Sequence, residues 1–256
     1  MSTETDPAVE PIKFAIFTDF DGTLVDIAET PDGVRVPSTL PVDLTTASRK
    51  LDSAFAIVTG RTIADIDKYL SPAVLPVAGT HGAQRRRADG TYEAVSEAAM
   101  HDAGTIADRL RPLVDQHPQL ILEAKTGAVA LHYRQAPDLE VACRQAMEAA
   151  IANLPEFDIV AGKMVFEARQ KQANKGEAIK AFMCEAPFAG RVPVFVGDDT
   201  TDEDGFEAVQ SLGGIGIKLG PGDTKARLRL PDVAAARRLI LALAERTTDV
   251  QELTQH

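Results

Sequence analysis

The sequence predicts an α/β protein whose parallel sheet, covered by helices, is interrupted by an inserted α+β lid. Three observations predict it. Short apolar runs alternate with helix-period segments near both ends of the chain. These runs end in turns that carry acids or glycine, in the strings DFDGT, TGR and GDD. Between them, from about residue 84 to 168, adjacent strand pairs and two helices replace the β-α-β rhythm.

Taken in order, FAIFTDF (Phe14 to Phe20) is an apolar run ending in acid, the pattern of a buried strand. A Pro-rich loop follows from Thr30 to Pro37, and Ser38 or Thr39 can cap a helix to about Leu51. Phe55 to Thr59 reads as a second buried strand. Gly60 turns the chain, Thr62 to Leu70 has helical spacing, and VLPVAGTHG is a third short strand. The lid opens with QRRRADGTYEAV, whose Asp89-Gly90 turn predicts a hairpin with a basic, solvated tip. Ala98 to His117 and Pro137 to Asn153 read as helices. LILEAK pairs with AVALHYR about Thr126-Gly127, and FDIVAG with KMVFEAR about Gly162-Lys163. The first rhythm then returns: helix Asn174 to Met183, strand VPVFVGDD, helix Glu203 to Ser211, strand GIGIKLG and a closing helix from Pro231 to Arg246. The expected division is a core of residues 1–83 and 169–256 around a lid of 84–168.

At 256 residues the chain can bury a sizeable core and carry such an insertion. A formal net charge of −11 argues against general nucleic-acid binding, yet a few local Lys and Arg can still capture a phosphate. Cys143 and Cys184 form no CxxC pair and read as reduced thiols of a cytoplasmic protein. The polar, acidic first ten residues lack a signal pattern, and no apolar run nears the roughly 20 residues that span a bilayer.

In an open parallel sheet, ligands bind beyond the carboxyl ends of the strands. Asp19 and Asp21, at i and i+2, face one spot there and need a cation, a shared proton or strong donors. One such carboxylate can attack phosphorus, and a second can move the proton. Thr59 and Gly60 offer hydroxyl and N–H donors for a phosphate oxygen, with Arg61 beside them. Lys175, opening a helix after Asn174, can neutralise a transferring phosphoryl group. Asp198 and Asp199 end another core strand, and Asp198 approaches Asp19 if the two strands are neighbours. That grouping suits Mg²⁺. An EF-hand is rejected: aligning Gly205 with its glycine puts Thr200 and Ser211 where the loop needs acids. Asp202 can cap the next helix, support the metal shell or support Lys175. Glu203 and Asp204 suit the first turn of that helix.

Together DFDGT, TGR, NKG and GDDTTDED resemble the four motifs of the haloacid dehalogenase (HAD) superfamily of phosphatases. The longer strings GTHGAQ, ALHYR, VFEAR, NKGEAI and VFVGDDTTDEDGFEAV resemble the trehalose-6-phosphate phosphatases, from about Phe14 to Leu243. The resemblance implies a Rossmann-like core with an inserted cap, and Mg²⁺-dependent hydrolysis of a sugar phosphate. It implies Asp19 as nucleophile and Asp21 as acid/base, with Thr59 and Lys175 on the phosphoryl group. Asp19, the Asp21 carbonyl and Asp198 would hold Mg²⁺, and Asp199 would act through water. Gly60, Arg61, His81, Lys125, Arg134, Lys163, Glu167 and Asn174 are the expected substrate contacts. A sucrose 6-phosphate or mannosyl phosphate phosphatase is the alternative enzyme, and a non-catalytic sugar-phosphate sensor the alternative class. The partner expected is a small sugar phosphate, with no nucleic acid or membrane. A functional link to a trehalose-6-phosphate synthase and a monomeric state complete the expectation. One departure stands out: Gln170 follows the E-x-R string where the family usually has Pro.

Overall fold

The computed structural model describes residues 12–28, 33–162 and 164–245. The acidic first residues, part of the Pro-rich loop, Lys163 and the polar tail lie outside them.

The chain forms β1 (Phe14–Thr18), α1 (Leu40–Lys50), β2 (Phe55–Val58), α2 (Ile63–Leu70), β3 (Val77–Gly79), β4 (Gln84–Arg86) and β5 (Tyr92–Glu93). Next come α3 (Glu97–Gln116), β6 (Ile121–Lys125), β7 (Ala128–His132), α4 (Glu140–Ile151), β8 (Phe157–Gly162) and β9 (Val165–Gln170). It closes with α5 (Lys175–Met183), β10 (Val192–Gly197), α6 (Glu203–Ser211), β11 (Ile215–Leu219), β12 (Leu228–Leu230) and α7 (Val233–Glu245).

The larger sheet has eight strands in the order β12-β11-β10-β1-β2-β3-β4-β5, parallel from β12 to β3. Its central strands are buried along nearly their whole length, because helices cover both faces. Phe17, Phe182 and Phe188 cluster in the core, with Phe17 and Phe188 stacked at a centroid distance of 5.3 Å and Phe182 tilted against both. The smaller sheet, β6-β7-β9-β8, is antiparallel. Its inner face packs Val129, Leu131, Phe166 and Ala168 on Ile106 and Leu110 of α3 and Met147 of α4, a second core.

Two expectations change. The hairpin Gln84–Glu93, placed in the lid by its position after the third strand, instead pairs with β3 and extends the larger sheet. Its arginines are not a solvated tip. Arg85 is buried and bound to Glu93 and Glu185, Arg86 grips Asp67 with two nitrogens at 2.7 and 2.8 Å, and Arg87 reaches Glu93 and Glu185. Carboxylates from α2 and from the turn after α5 therefore anchor the hairpin to the core, and Glu93 ties its two strands together. Strand β12 is an addition that the sequence reading lacked, and the segment from Pro137 begins as a 3₁₀ turn before α4. Thr39 occupies the cap position of α1 but its side chain makes no capping bond. Both cysteines are free thiols, and burial pushes the Cys143 thiol up. Among the described residues no helix is long and apolar enough to cross a membrane.

Candidate active site

Strands β1 and β10 are parallel neighbours with Thr18 opposite Val196, and the Asp19 N–H donates to the Val196 carbonyl at 2.9 Å. This register brings DFDGT and GDD to one carboxyl edge. Asn174 caps α5 by accepting the Glu177 N–H at 2.9 Å, and the helix starts with Lys175 aimed at that edge. The Lys175 ammonium lies 3.1 Å from Asp19 Oδ1 and 2.7 Å from Asp202 Oδ1. All three are deeply buried: Asp19 is 6% exposed, Lys175 2% and Asp202 0%.

The role of Asp202 is now resolved. Its side chain makes no capping bond to α6. Instead Oδ2 accepts the N–H groups of Asp198 and Asp199, each at 2.9 Å, while Oδ1 takes Lys175. Three of the roughly four lone-pair positions of an ionised carboxylate are thereby used. Asp202 braces the loop and the lysine together.

Asp19, Asp198 and Asp202 bring ligand oxygens within 4.8 Å of one another. Asp198 Oδ1 accepts from the Thr23 hydroxyl at 3.2 Å. Gly22, at φ +74°, permits the approach, since a Cβ there would lie 2.1 Å from Asp198 Oδ2. Burial pushes the Asp19 carboxyl up to about 7, with Lys175 opposing and Asp202 adding to the rise. Burial and the charge of Asp202 push Asp198 up to about 6. Burial alone would lower Lys175, but Asp19 and Asp202 hold its ammonium above the ordinary value. Two carboxyls that resist ionisation, in an all-oxygen donor set, fit a small hard divalent cation. Asp199 turns away from this cluster: its Oδ1 accepts from the Thr200 N–H and hydroxyl.

Asp21 lines a cavity of about 620 Å³ between the two sheets, together with Gly60 and Arg61. Arg61 donates to both Asp21 oxygens, at 2.6 and 2.8 Å, and lies 4.9 Å from the Tyr69 ring centroid. The Thr59 hydroxyl accepts the Arg61 N–H at 3.2 Å, which leaves its own proton free to donate. Beside them Thr80 and His81 both adopt left-handed backbone, φ 50° and 55°, a strained arrangement for residues with a Cβ. Their N–H groups donate to Arg61 and Thr59 carbonyls and lace the turn to TGR. The imidazole covers Gly60 so closely that a Cβ there would come within 2.8 Å of it. Burial, then the nearby Lys175, Arg169 and Lys125, push His81 down to about 3, so it is neutral.

The opposite wall comes from the smaller sheet. Glu123 and Lys125 alternate on β6, and Ala130 pairs with both Glu123 and Glu167, so these charged residues share the outer face. Glu123, Lys125 and Glu167 line the cavity, and the Lys125 ammonium binds the Glu167 carboxylate. Arg134, by contrast, is exposed on the turn after β7 and does not line the cavity. Asn174 is committed to capping, and Lys163 lies outside the described residues. Sequence reasoning missed three contributors: Thr23, Glu123 and Lys218, whose ammonium donates to the Asp198 carbonyl at 2.6 Å. The signal for Glu123 was its alternation with Lys125. For Lys218 it was a charge inside an apolar strand.

A mostly parallel sheet with paired aspartates at its carboxyl edge, beneath an inserted antiparallel sheet, defines a capped fold of the HAD superfamily. A phosphatase of that superfamily from Bacteroides thetaiotaomicron shares it at a TM-score of 0.60 and 15% identity, over 96% of this chain and 99% of that one. The narrower match is to the trehalose-phosphatase family, whose model fits residues 17–234, and the chain belongs to that family. The "Probable trehalose-phosphate phosphatase" of Sinorhizobium fredii NGR234 is 44% identical over 235 residues, 91% of this chain and 88% of that protein. The trehalose-6-phosphate phosphatase of Escherichia coli K12 is 43% identical over 226 residues, 86% of this chain and 84% of that protein. A solved trehalose-6-phosphate phosphatase related protein superposes at a TM-score of 0.71 with 28% identity, covering 90% of this chain and 96% of that one.

Proposed function

We propose that the chain hydrolyses trehalose 6-phosphate to trehalose and inorganic phosphate, with Mg²⁺ as its cofactor. One observation carries the reading. The buried Asp19–Lys175–Asp202–Asp198 cluster adjoins Asp21, which opens onto a cavity walled on its far side by Glu123, Lys125 and Glu167. A volume of about 620 Å³ falls within the range of small-ligand sites and leaves room for a sugar phosphate.

In this reading Asp19 attacks phosphorus and forms the Asp19 O–P bond as the P–O bond to the sugar breaks. Asp21 supplies the proton to the departing sugar oxygen. Water then attacks the aspartyl-phosphate, Asp21 takes its proton, and phosphate leaves with the Asp19 carboxylate restored. Lys175, the Thr59 hydroxyl and the Gly60 N–H hold the phosphoryl oxygens. Asp21 must exchange at least one Arg61 contact to act, and an anionic phosphoryl group is a competing acceptor for that guanidinium. Asp19 and Asp198 would hold Mg²⁺, with Asp202 behind them. Bound there, the cation neutralises charge on the carboxylates and the phosphoryl oxygens. Asp199, whose Oδ1 is engaged by Thr200, would stand behind the ligands with its other oxygen still able to accept a hydrogen bond.

The cap, in this reading, runs from about the start of α3 to the end of β9, and its outer-face charges read the sugar hydroxyls. We take the chain to be a cytoplasmic monomer, consistent with two free thiols, that uses a sugar phosphate made by a synthase. A panel of trehalose 6-phosphate, sucrose 6-phosphate and mannosyl phosphate, with and without Mg²⁺, tests the function. Phosphate release should be fastest from trehalose 6-phosphate and depend on the cation. Equal or faster release from sucrose 6-phosphate would reassign the substrate, and no release from any of them would favour a sensor.

A further inference from the structure

Asp198 is held at every polar group but one. Its N–H donates to Asp202 Oδ2 at 2.9 Å, its Oδ1 accepts from Thr23 at 3.2 Å, and its backbone carbonyl accepts from Lys218 Nζ at 2.6 Å. The remaining oxygen, Oδ2, faces Gly22 across a gap that admits no Cβ.

Lys218 is unusual for its place. It is 5% exposed in β11, an otherwise apolar strand, with Gly197 of β10 as its register partner. A lysine kept for packing alone would extend its ammonium to water. A Leu or Met would fill the same strand position without the cost of burying a charge. Among the described residues the hydrogen-bond acceptor of this ammonium is the Asp198 carbonyl. That peptide is the one from which the chain leaves β10 and turns into the loop braced by Asp202.

We propose that Lys218 is a positioning residue for the cation site: it grips the Asp198 peptide so that Oδ2 keeps a fixed aim toward a bound divalent cation. The proposal rests on reading Asp198 as a cation ligand. Mg²⁺ tolerates little departure from octahedral geometry, so a peptide free to rotate costs affinity. Outer partners of metal ligands are worth roughly ten- to a hundredfold in affinity. An ammonium near a cation also repels it, so the proposal requires the orienting effect to exceed the repulsion.

The test is direct titration of the full chain with Mn²⁺ and no substrate, following the electron paramagnetic resonance signal of free Mn²⁺. The cation-free unfolding midpoint is measured in parallel. K218M should raise the Mn²⁺ Kd roughly ten- to a hundredfold while leaving the cation-free midpoint unchanged or higher. K218Q, which keeps an N–H donor, should fall between. An unchanged or lower Kd in K218M overturns the proposal, as does a weaker Kd accompanied by a matching collapse of the midpoint. If K218M is not recovered folded, the same two readouts on K218Q decide. Wild-type chain that binds no Mn²⁺ overturns the cation reading and this proposal with it. Wild-type binding alongside unaltered variants overturns this proposal alone.

Discussion

At the carboxyl edge of the eight-stranded sheet, Asp19, Lys175 and Asp202 are buried, and the one ammonium pairs with both carboxylates. In the four-stranded sheet, Glu123, Lys125 and Glu167 stand on an open face, and the Lys125–Glu167 pair stays partly solvated. The contrast follows from what covers each sheet. Helices close both faces of the first, so a charge there loses its water and must find a partner. Helices close one face of the second, so its other face keeps charges at small cost and can exchange partners when a ligand arrives. On this view the first sheet holds chemistry and the second holds recognition.

The largest expected effect is on the chemistry. Asp19→Asn should lower Mg²⁺-dependent phosphate release by more than about a thousandfold while the circular dichroism spectrum stays native. Retained turnover would remove the nucleophile from the larger sheet and break the contrast. Next, Asp202→Ala takes from the buried Lys175 ammonium the nearer of its two carboxylate partners and leaves two loop N–H groups without their acceptor, and should cost about 3 kcal/mol in urea unfolding. A loss below about 1 kcal/mol would mean the core charges are not mutually dependent.

Substitutions on the open face should behave differently. Glu167→Gln and Lys125→Met should raise KM for trehalose 6-phosphate roughly ten- to a hundredfold. Stability should change by less than about 1 kcal/mol, because their pair is partly exposed. A fall in kcat at constant KM would assign the pair to the chemical step instead.

The smallest effect is a pH-dependent shift in the unfolding midpoint. Asp19 and Asp198 have native values of about 7 and about 6, above the ordinary 3.8, so the native chain binds more protons than the unfolded one. Their ionisation therefore removes stability as pH rises from about 4 to 7. His81, held down to about 3, acts the other way and removes stability as pH falls below its ordinary 6.5. Mg²⁺ competes with protons at the aspartates and has no such contest at His81. The midpoint gain on adding Mg²⁺ should therefore grow from pH 5 to pH 7.5, read by calorimetry in matched buffers. A gain independent of pH would place the cation away from Asp19 and Asp198.

Much of this was readable in the chain itself. FAIFTDF, AFAIVTGR and VPVFVGDD announced buried parallel strands because a strand covered on both faces is apolar throughout. The turn residues between LILEAK and AVALHYR, and between FDIVAG and KMVFEAR, announced adjacent strand pairs. Other features were illegible for definable reasons. Asp89-Gly90 signals a hairpin, yet nothing local says which sheet edge the hairpin joins. Three consecutive arginines look solvated until Glu93 folds back across the hairpin and Asp67 and Glu185 arrive from elsewhere. Strand β12 spans three residues, too few for a period to show.

By itself the sequence determined most of the elements, the parallel core with its interruption, and the motifs that carry Asp19, Asp21, Thr59, Lys175 and Asp198. Periodicity, turn chemistry and short motifs are local, and local signals survive in one dimension. Only the tertiary structure decided that Asp202 braces the loop and Lys175 rather than capping α6, that Arg61 engages Asp21, that Arg134 stands apart from the cavity, and that Lys218 grips Asp198. Three of these four are matters of which buried or half-buried polar group meets which. That depends on strand order, which brings β1, β10 and β11 side by side across 200 residues of chain.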